Sequence, residues 1–211
     1  MYIREYMKSP VITVAPNTLL DEALRVMHEK KVRRLPVVEG GKLIGLVTRR
    51  GLMEATPESP LPLSIWGAHY QLSKMKVRDI MITDLVTVTP DNTVEEATTI
   101  AERKKIGTLP VTDKEGNLVG ILTVTDLHHL LTQVMGFGQS GARLHIHDLG
   151  KTLHRQILRI MSDFPIDILS AFSVPLADGQ EDFIVHLDTE EAEPIAEELK
   201  KLGLRVEIRK H

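Results

Sequence analysis

Apolar positions in the first 135 residues follow one pattern that occurs twice. Leu20, Ala23, Leu24 and Met27 are spaced i, i+3, i+4, i+7, which predicts an amphipathic helix with one buried face. Val94, Ala97 and Ala101 repeat that spacing farther along. Ahead of each helix a β-branched segment, Val11–Val14 or Val86–Val88, predicts a short strand closed by a proline. Asn17 or Thr18, and Asp91 or Asn92, are the expected N-caps. Behind each helix come two apolar runs that predict a hairpin. In the first copy these are Leu35–Val38 and Leu43–Val47, joined by Glu39-Gly40-Gly41-Lys42, whose glycines supply positive φ cheaply. In the second copy the turn is Asp113–Asn117. A further helix starts near Arg50 or Asp126, so each copy reads β-α-β-β-α.

The two copies align directly. Residues 12–38 match residues 86–112 without a gap at a shift of 74, with 10 identities in 27 positions, among them Thr13/Thr87, Pro16/Pro90, Lys31/Lys105 and Leu35/Leu109. One inserted residue in the second turn moves the shift to 75, after which Gly45/Gly120, Thr48/Thr123 and Leu52/Leu127 coincide. Between the copies, Pro57, Pro60 and Pro62 rule out one regular element and mark a connector, with a helix expected from Ser64 to Ser73.

After about residue 140 the pattern changes. Met135–Gly141 holds three glycines and reads as a linker. Arg143–His147 alternates as a strand, and Lys151–Ser162 reads as a helix with Leu153, Ile157, Ile160 and Met161 on its apolar side. Ile166–Val174 and Asp182–Leu187 predict an antiparallel pair about the turn Ala177–Gln180. Glu190–Leu202 predicts a helix with Pro194 in its first turn and Gly203 as its C′ residue. Leu204–Arg209 closes as a strand. The order β-α-β-β-α-β is that of a ferredoxin-like plait.

Composition narrows the function classes. The 211-residue chain is 42% hydrophobic and 26% charged, with a net charge of -3, which fits a folded domain protein and gives no basic excess for nucleic-acid binding. It has no cysteine, so disulfides and thiolate metal sites are excluded. Met1–Pro10 lacks the apolar core of a secretory signal, and no apolar run reaches the roughly 18 residues of a membrane span. A cytoplasmic protein with no membrane partner is expected. No nucleophile elbow, P-loop or dinucleotide fingerprint is present, so no enzyme activity and no catalytic residue is expected.

The repeated order, with Gly120-Ile121-Leu122-Thr123-Val124-Thr125-Asp126 at the last strand–helix junction, resembles the CBS domain. The Leu-Pro-Val strand starts and the Met-x-x-x-apolar-x-Thr-Val openings agree. The resemblance divides the chain into 1–76, a first CBS repeat with its connector; 77–135, a second repeat; a linker at 136–141; and 142–211, which is similar to an ACT domain. The fold class is α+β. This layout is similar to that of bacterial acetoin-utilisation accessory proteins.

What the resemblance implies is regulatory binding of an adenine nucleotide, AMP, ADP or ATP, or a related adenosyl ligand, in the cleft of the pair. No cofactor is implied. The matching positions make Asp126 the acceptor for ribose hydroxyls, with Thr123 and Thr125 beside it and the edge Leu85, Val86 and Thr87 against the adenine. Thr13 and Thr48 are their first-copy counterparts. Arg34 and Arg33, ahead of Leu35-Pro36, are candidates for phosphate, since the guanidinium fork matches phosphate oxygens. The first copy reads Gly45-Leu46-Val47-Thr48-Arg49-Arg50-Gly51, so its ribose acid is replaced by glycine, and one site per chain, anchored by Asp126, is expected. A homodimer and an unidentified regulated protein complete the implied partners.

Two other readings stand. One is a structural module with empty clefts, favoured by Gly51. The other is an amino-acid sensor acting through the ACT-like part. Asp148-Leu149-Gly150-Lys151-Thr152-Leu153 lacks one residue and the proline of that family's first loop, which speaks against it. Histidines raise metal binding: His145 and His147 share a strand face, His154 follows, and His128-His129 are adjacent. No third ligand is fixed by the sequence, and no metal is expected.

Overall fold

The computed structural model describes residues 1–55, 75–149, 153–177 and 179–210. The expected connector helix lies outside the described residues. The chain divides into two compact units, Met1–Leu127 and His128–His211.

In the first unit each copy contributes two helices and a two-stranded hairpin. The first copy holds α1 (Leu20–Glu29), β1 (Arg34–Glu39), β2 (Lys42–Thr48) and α2 (Arg49–Glu54). The second holds α3 (Val94–Lys104), β3 (Thr108–Thr112), β4 (Leu118–Thr123) and α4 (Val124–Val134), the last running across the division between the units. The expected opening strands are each reduced to a single parallel bridge, Val14 to Val37 and Val88 to Val111. Val14 still donates to Pro36 and accepts from Val38, both at 3.0 Å, so its two polar groups are satisfied. Pro16 and Pro90, two residues on, leave no room for a longer ladder.

Burial follows the repeat. Val14, Leu20, Ala23, Met27, Leu35, Val37, Val47, Leu52 and Val77 form one core. Their counterparts Val88, Val94, Ala97, Ala101, Leu109, Val111, Leu122, Leu127 and Ile3 are all buried as well. Each of the Val, Leu, Ile and Met side chains among them stabilises the fold by about 1.5–3 kcal/mol. Val77 and Ile3 come from segments that precede the opposite repeat, so the sequence repeats are not the packing units. Val77 donates to Thr18 (2.8 Å), Arg78 to Pro16 (3.0 Å), and Ile82 exchanges two bonds with Leu46 (both 2.9 Å). Likewise Ile3 donates to Asn92 (2.9 Å), Arg4 to Pro90 (3.1 Å), and Lys8 pairs with Ile121 (2.9 and 3.1 Å). Residues 75–82 therefore complete the first repeat, and residues 1–8 complete the second. Gly45 and Gly120 permit this, because a Cβ on either would collide with Met81 or Met7.

The caps differ from expectation. The cap of α3 is Thr93, which accepts from Glu96 N (3.1 Å) while the Glu96 carboxylate accepts from Thr93 N (2.9 Å), a full capping box. The cap of α1 is Leu19, with no side-chain bond. Asn92 and Thr18 instead serve the preceding turns, accepting from Thr89 and Ala15.

The second unit, taken by itself, is one four-stranded antiparallel sheet with two helices. Its elements are β5 (Ala142–Leu149), α5 (His154–Met161), β6 (Ile168–Pro175), β7 (Glu181–Leu187), α6 (Glu193–Lys201) and β8 (Arg205–Lys210), and the sheet order is β6-β7-β5-β8. Ala142, Leu144 and Ile146 of β5 and Phe183, Val185 and Leu187 of β7 share a core with Ile157, Met161, Ile195, Ala196 and Leu199 of the helices. Helix α6 starts three residues later than expected, because Pro194 sits at its N-terminal turn and Ala192 is the N-cap. Gly203, at φ 81°, closes it in the expected left-handed conformation. Helix α5 starts at His154, and residues 150–152 of the expected loop lie outside the described residues.

The segment 136–141, expected as a linker, is part of this unit. Arg143 donates to the carbonyl of Met135 (3.0 Å), its guanidinium lies 4.3 Å from the Phe137 ring, and Ser170 donates to the same carbonyl (3.1 Å).

Candidate functional site

A cavity of about 230 Å³ opens between the two repeats. The first repeat supplies Arg34, Leu46 and Thr48. The segment before the second repeat's helix supplies Ile82, Asp84, Leu85 and Val86, and the α3–β3 turn supplies Lys105, Ile106, Gly107 and Thr108. Four of the residues picked from the sequence, Arg34, Thr48, Leu85 and Val86, thus meet here.

Each is placed by local chemistry. Thr48 caps α2, its Oγ1 accepting from Gly51 N at 3.0 Å, which keeps its hydroxyl at the cavity wall. Arg34 is half-buried at the start of β1. Its guanidinium lies across Gly107, where a Cβ would meet Nη2 at 2.9 Å, so glycine is what lets the arginine in. Lys105 ends α3 in the left-handed conformation at φ 53°, and Lys31, its counterpart in the first repeat, has the same φ. A non-glycine residue there is uncommon, and the shared φ is the left-handed stop of each repeat's first helix. The Thr108 hydroxyl is buried and has no hydrogen-bond partner among the described residues. A buried polar group in that condition needs an acceptor or donor from elsewhere.

Asp126 and Thr123 stand at the corresponding junction of the second repeat, apart from this cavity's lining. Asp126 is not the N-cap. Thr123 is the cap, accepting from Asp126 N at 3.2 Å, and the Asp126 carboxylate returns the bond by accepting from Thr123 N (2.9 Å) and Oγ1 (2.6 Å). Its other oxygen meets the Lys8 ammonium at 2.6 Å. Burial by itself would raise this carboxyl, but the Lys8 and Thr123 hydrogen bonds outweigh it and hold the acid below its ordinary range. The expected grouping of Asp126 with Leu85 and Val86 is therefore not what the fold makes, because those two residues follow directly on the segment that completes the first repeat and line the cavity with Thr48. Thr125 is exposed in the first turn of α4. Thr13 and Thr87 are exposed beside the buried Val14 and Val88, and Arg33 is exposed beside Arg34.

Sequence reading missed Asp84, Lys105 and Thr108. Lys105 carried a signal, since it is one of the identities of the repeat. Asp84 carried none, because its counterpart is Pro10.

Just over half of the chain, residues 3–58 and 77–132, matches the CBS domain family. The chain belongs to the CBS domain family. Among relatives, the inosine-5'-monophosphate dehydrogenase of Korarchaeum cryptofilum is 40% identical over 119 residues, which are 56% of this chain and 22% of that one. The chain thus spans under a quarter of that relative's length. Among solved structures, a Vibrio cholerae protein provisionally described as an acetoin utilization protein (AcuB) is similar at a TM-score of 0.55 and 26% identity, over 64% of this chain and 93% of that one. CBSX2, a CBS-pair protein of Arabidopsis thaliana, is similar in its complex with AMP at a TM-score of 0.52 and 28% identity, over 64% of this chain and 98% of that one. No helix among the described residues is long and apolar enough to cross a membrane.

Proposed function

We propose that this CBS pair is a regulatory module that senses an adenine nucleotide in the cavity between its repeats. The carrying observation is the lining: apolar Leu46, Ile82, Leu85, Val86, Ile106 and Pro110 next to cationic Arg34 and Lys105. Apolar walls suit the flat base, and the two cations suit its phosphates. Asp84, on the same wall, takes the part that Gly51 cannot, accepting the ribose hydroxyls. AMP bound to the similar CBSX2 supports the ligand class.

Asp126 carries a second reading. It is a part-buried acid of the kind the ribose needs, and a nucleotide that displaced Lys8 would find it oriented by Thr123. In either reading the chain acts by binding and not by catalysis. Its C-terminal unit, with sheet order β6-β7-β5-β8, is read as a ferredoxin-like, ACT-like plait that pairs chains into a cytoplasmic homodimer or docks the regulated protein.

A thermal-shift panel of AMP, ADP, ATP, NAD, S-adenosylmethionine and amino acids tests this. A ligand at a hundred times its dissociation constant adds about 2.7 kcal/mol, a rise of several degrees for a chain of this size. The rise is expected with an adenine nucleotide and is expected to vanish in Arg34→Met. No rise with any nucleotide, in protein free of co-purified ligand, leaves the empty structural module as the account. A rise with an amino acid alone moves the site to the C-terminal unit.

A further inference from the structure

The face of the C-terminal sheet opposite its helices carries a cluster that the nucleotide reading does not use. His145 of β5 stands directly across from Glu207 of β8, and His147 follows on the same face. The two imidazoles stack with centroids 4.2 Å apart. One nitrogen of each bonds a single oxygen of Asp182 on β7, His145 Nε2 at 3.0 Å and His147 Nδ1 at 3.2 Å. The other nitrogen of His147, Nε2, lies 3.6 Å from a Glu207 oxygen. One donor atom each from His145, His147 and Glu207 all fall within 4.8 Å of one another.

The backbone is shaped to this arrangement. The β5–β7 register breaks between Ile146 and Leu149. In that bulge Asp148 takes a left-handed φ of 54° and donates its N–H to the second Asp182 oxygen at 3.1 Å. Bulges re-aim side chains at functional sites. Here the bulge brings three donors onto one carboxylate that is largely buried, its side chain 14% exposed.

Charge completes the case. Arg205 pairs with Asp148 at 2.7 Å, and Arg209 with Glu207 at 3.2 Å. Asp182 has no lysine or arginine partner among the described residues; its partners are the two imidazoles and the Asp148 N–H. The patch holds three acids, Asp148, Asp182 and Glu207, against two arginines, Arg205 and Arg209.

We propose that His145, His147 and Glu207 form a binding site for a divalent transition-metal ion, with Asp182 as the carboxylate that orients both rings. Two histidines and one carboxylate with an open fourth position is a ligand set that zinc accepts. A carboxylate on the far nitrogen of a metal-binding imidazole fixes its tautomer and direction. Glu207 turns from Arg209 toward the ion, a movement its half-exposed side chain permits. The sequence alone does not show that β8 and β7 bring Glu207 and Asp182 to the strand-neighbour histidines, and the proposal departs from the expectation of no metal on that ground.

The test is calorimetric titration of chelator-stripped full-length protein with Zn(II), repeated with Co(II) by visible absorption. One ion per chain is expected, with the absorption of a low-coordinate cobalt centre. Binding is expected to be lost in His147→Ala, weakened at least tenfold in Glu207→Gln, weakened 10–100-fold in Asp182→Asn, and unchanged in a His128→Ala/His129→Ala double variant. Glu207→Gln is a surface change and guards against a folding failure of the histidine variant. Absence of binding in the wild type, or binding that survives His147→Ala or disappears in the His128/His129 variant, overturns the site.

Discussion

The Lys8 ammonium sits 2.6 Å from the Asp126 carboxylate, while the corresponding positions of the other repeat hold Ile82 and Gly51. The first repeat's junction thus has neither the acid nor the base. One junction is bridged by an ion pair, and the other is left apolar beside the cavity that Arg34 and Lys105 line. The repeats share a fold and a core but not a site.

Removing the acid therefore costs stability as well as any binding role. Asp126→Ala breaks the reciprocal bonds with Thr123 and strands Lys8. Loss of the hydrogen bonds that the Asp126 carboxylate accepts from Thr123 costs about 1.5–3 kcal/mol, the scale of a hydrogen bond to a charged group, whereas Lys8→Met costs less, because Lys8 is mostly exposed and an exposed partner gives only about 0.2–1 kcal/mol. Urea denaturation of the two variants and their double checks the order.

The same acid gives a pH signature. Its folded value lies below the ordinary value of about 3.9, so its contribution is fully present above that value and is lost as pH falls through the depressed one. Stability measured from about pH 5 downward should fall less steeply in Asp126→Asn than in the wild type. Equal slopes would mean that the carboxyl is not held low.

Gly45 is expected to tolerate no side chain. In Gly45→Ala the new methyl meets the Met81 Cγ at 2.9 Å and its Cβ at 3.2 Å, close to the backbone of the segment that seals the first repeat. Overpacking of this kind costs about 1–3 kcal/mol. Differential scanning calorimetry should show a lower Tm, with recovery in Gly45→Ala/Met81→Ala.

Gly107→Ala separates binding from folding. The atoms its methyl meets first are those of the flexible end of Arg34, at 2.9 Å from Nη2. The fold should keep its Tm within about 2 °C, since surface substitutions change stability by about 0.5 kcal/mol or less. Nucleotide affinity should fall about tenfold or more, the scale of one hydrogen bond to a charged group, about 1.5–3 kcal/mol.

Much of this was legible in the sequence, and the reasons are local. The spacing of Leu20, Ala23 and Met27 fixes which face of α1 is buried, and the turn glycines fix the hairpins. The matching of the copies foretold that each core position would be filled twice. Caps were less legible. Asn92 and Thr93 are both good cap residues, and only the Glu96 carboxylate, three residues on, decides for Thr93. The site was half legible. Arg34, Thr48, Leu85 and Val86 could be named, but not that residues 75–82 would seal the first repeat and carry Leu85 and Val86 to Thr48 instead of Asp126. Long-range exchange of this kind leaves no periodic trace. Asp84 was invisible for the same reason, being an acid that shares the cavity with Arg34 and Thr48 of the other repeat.

The most direct measurement is calorimetric titration of the full-length protein with AMP and ATP, run on the wild type, Asp84→Asn and Asp126→Asn. One nucleotide per chain is expected, weakened at least tenfold by Asp84→Asn and little changed by Asp126→Asn. Binding that survives Asp84→Asn and disappears in Asp126→Asn would contradict the assignment and move the ribose to the junction that Lys8 now covers.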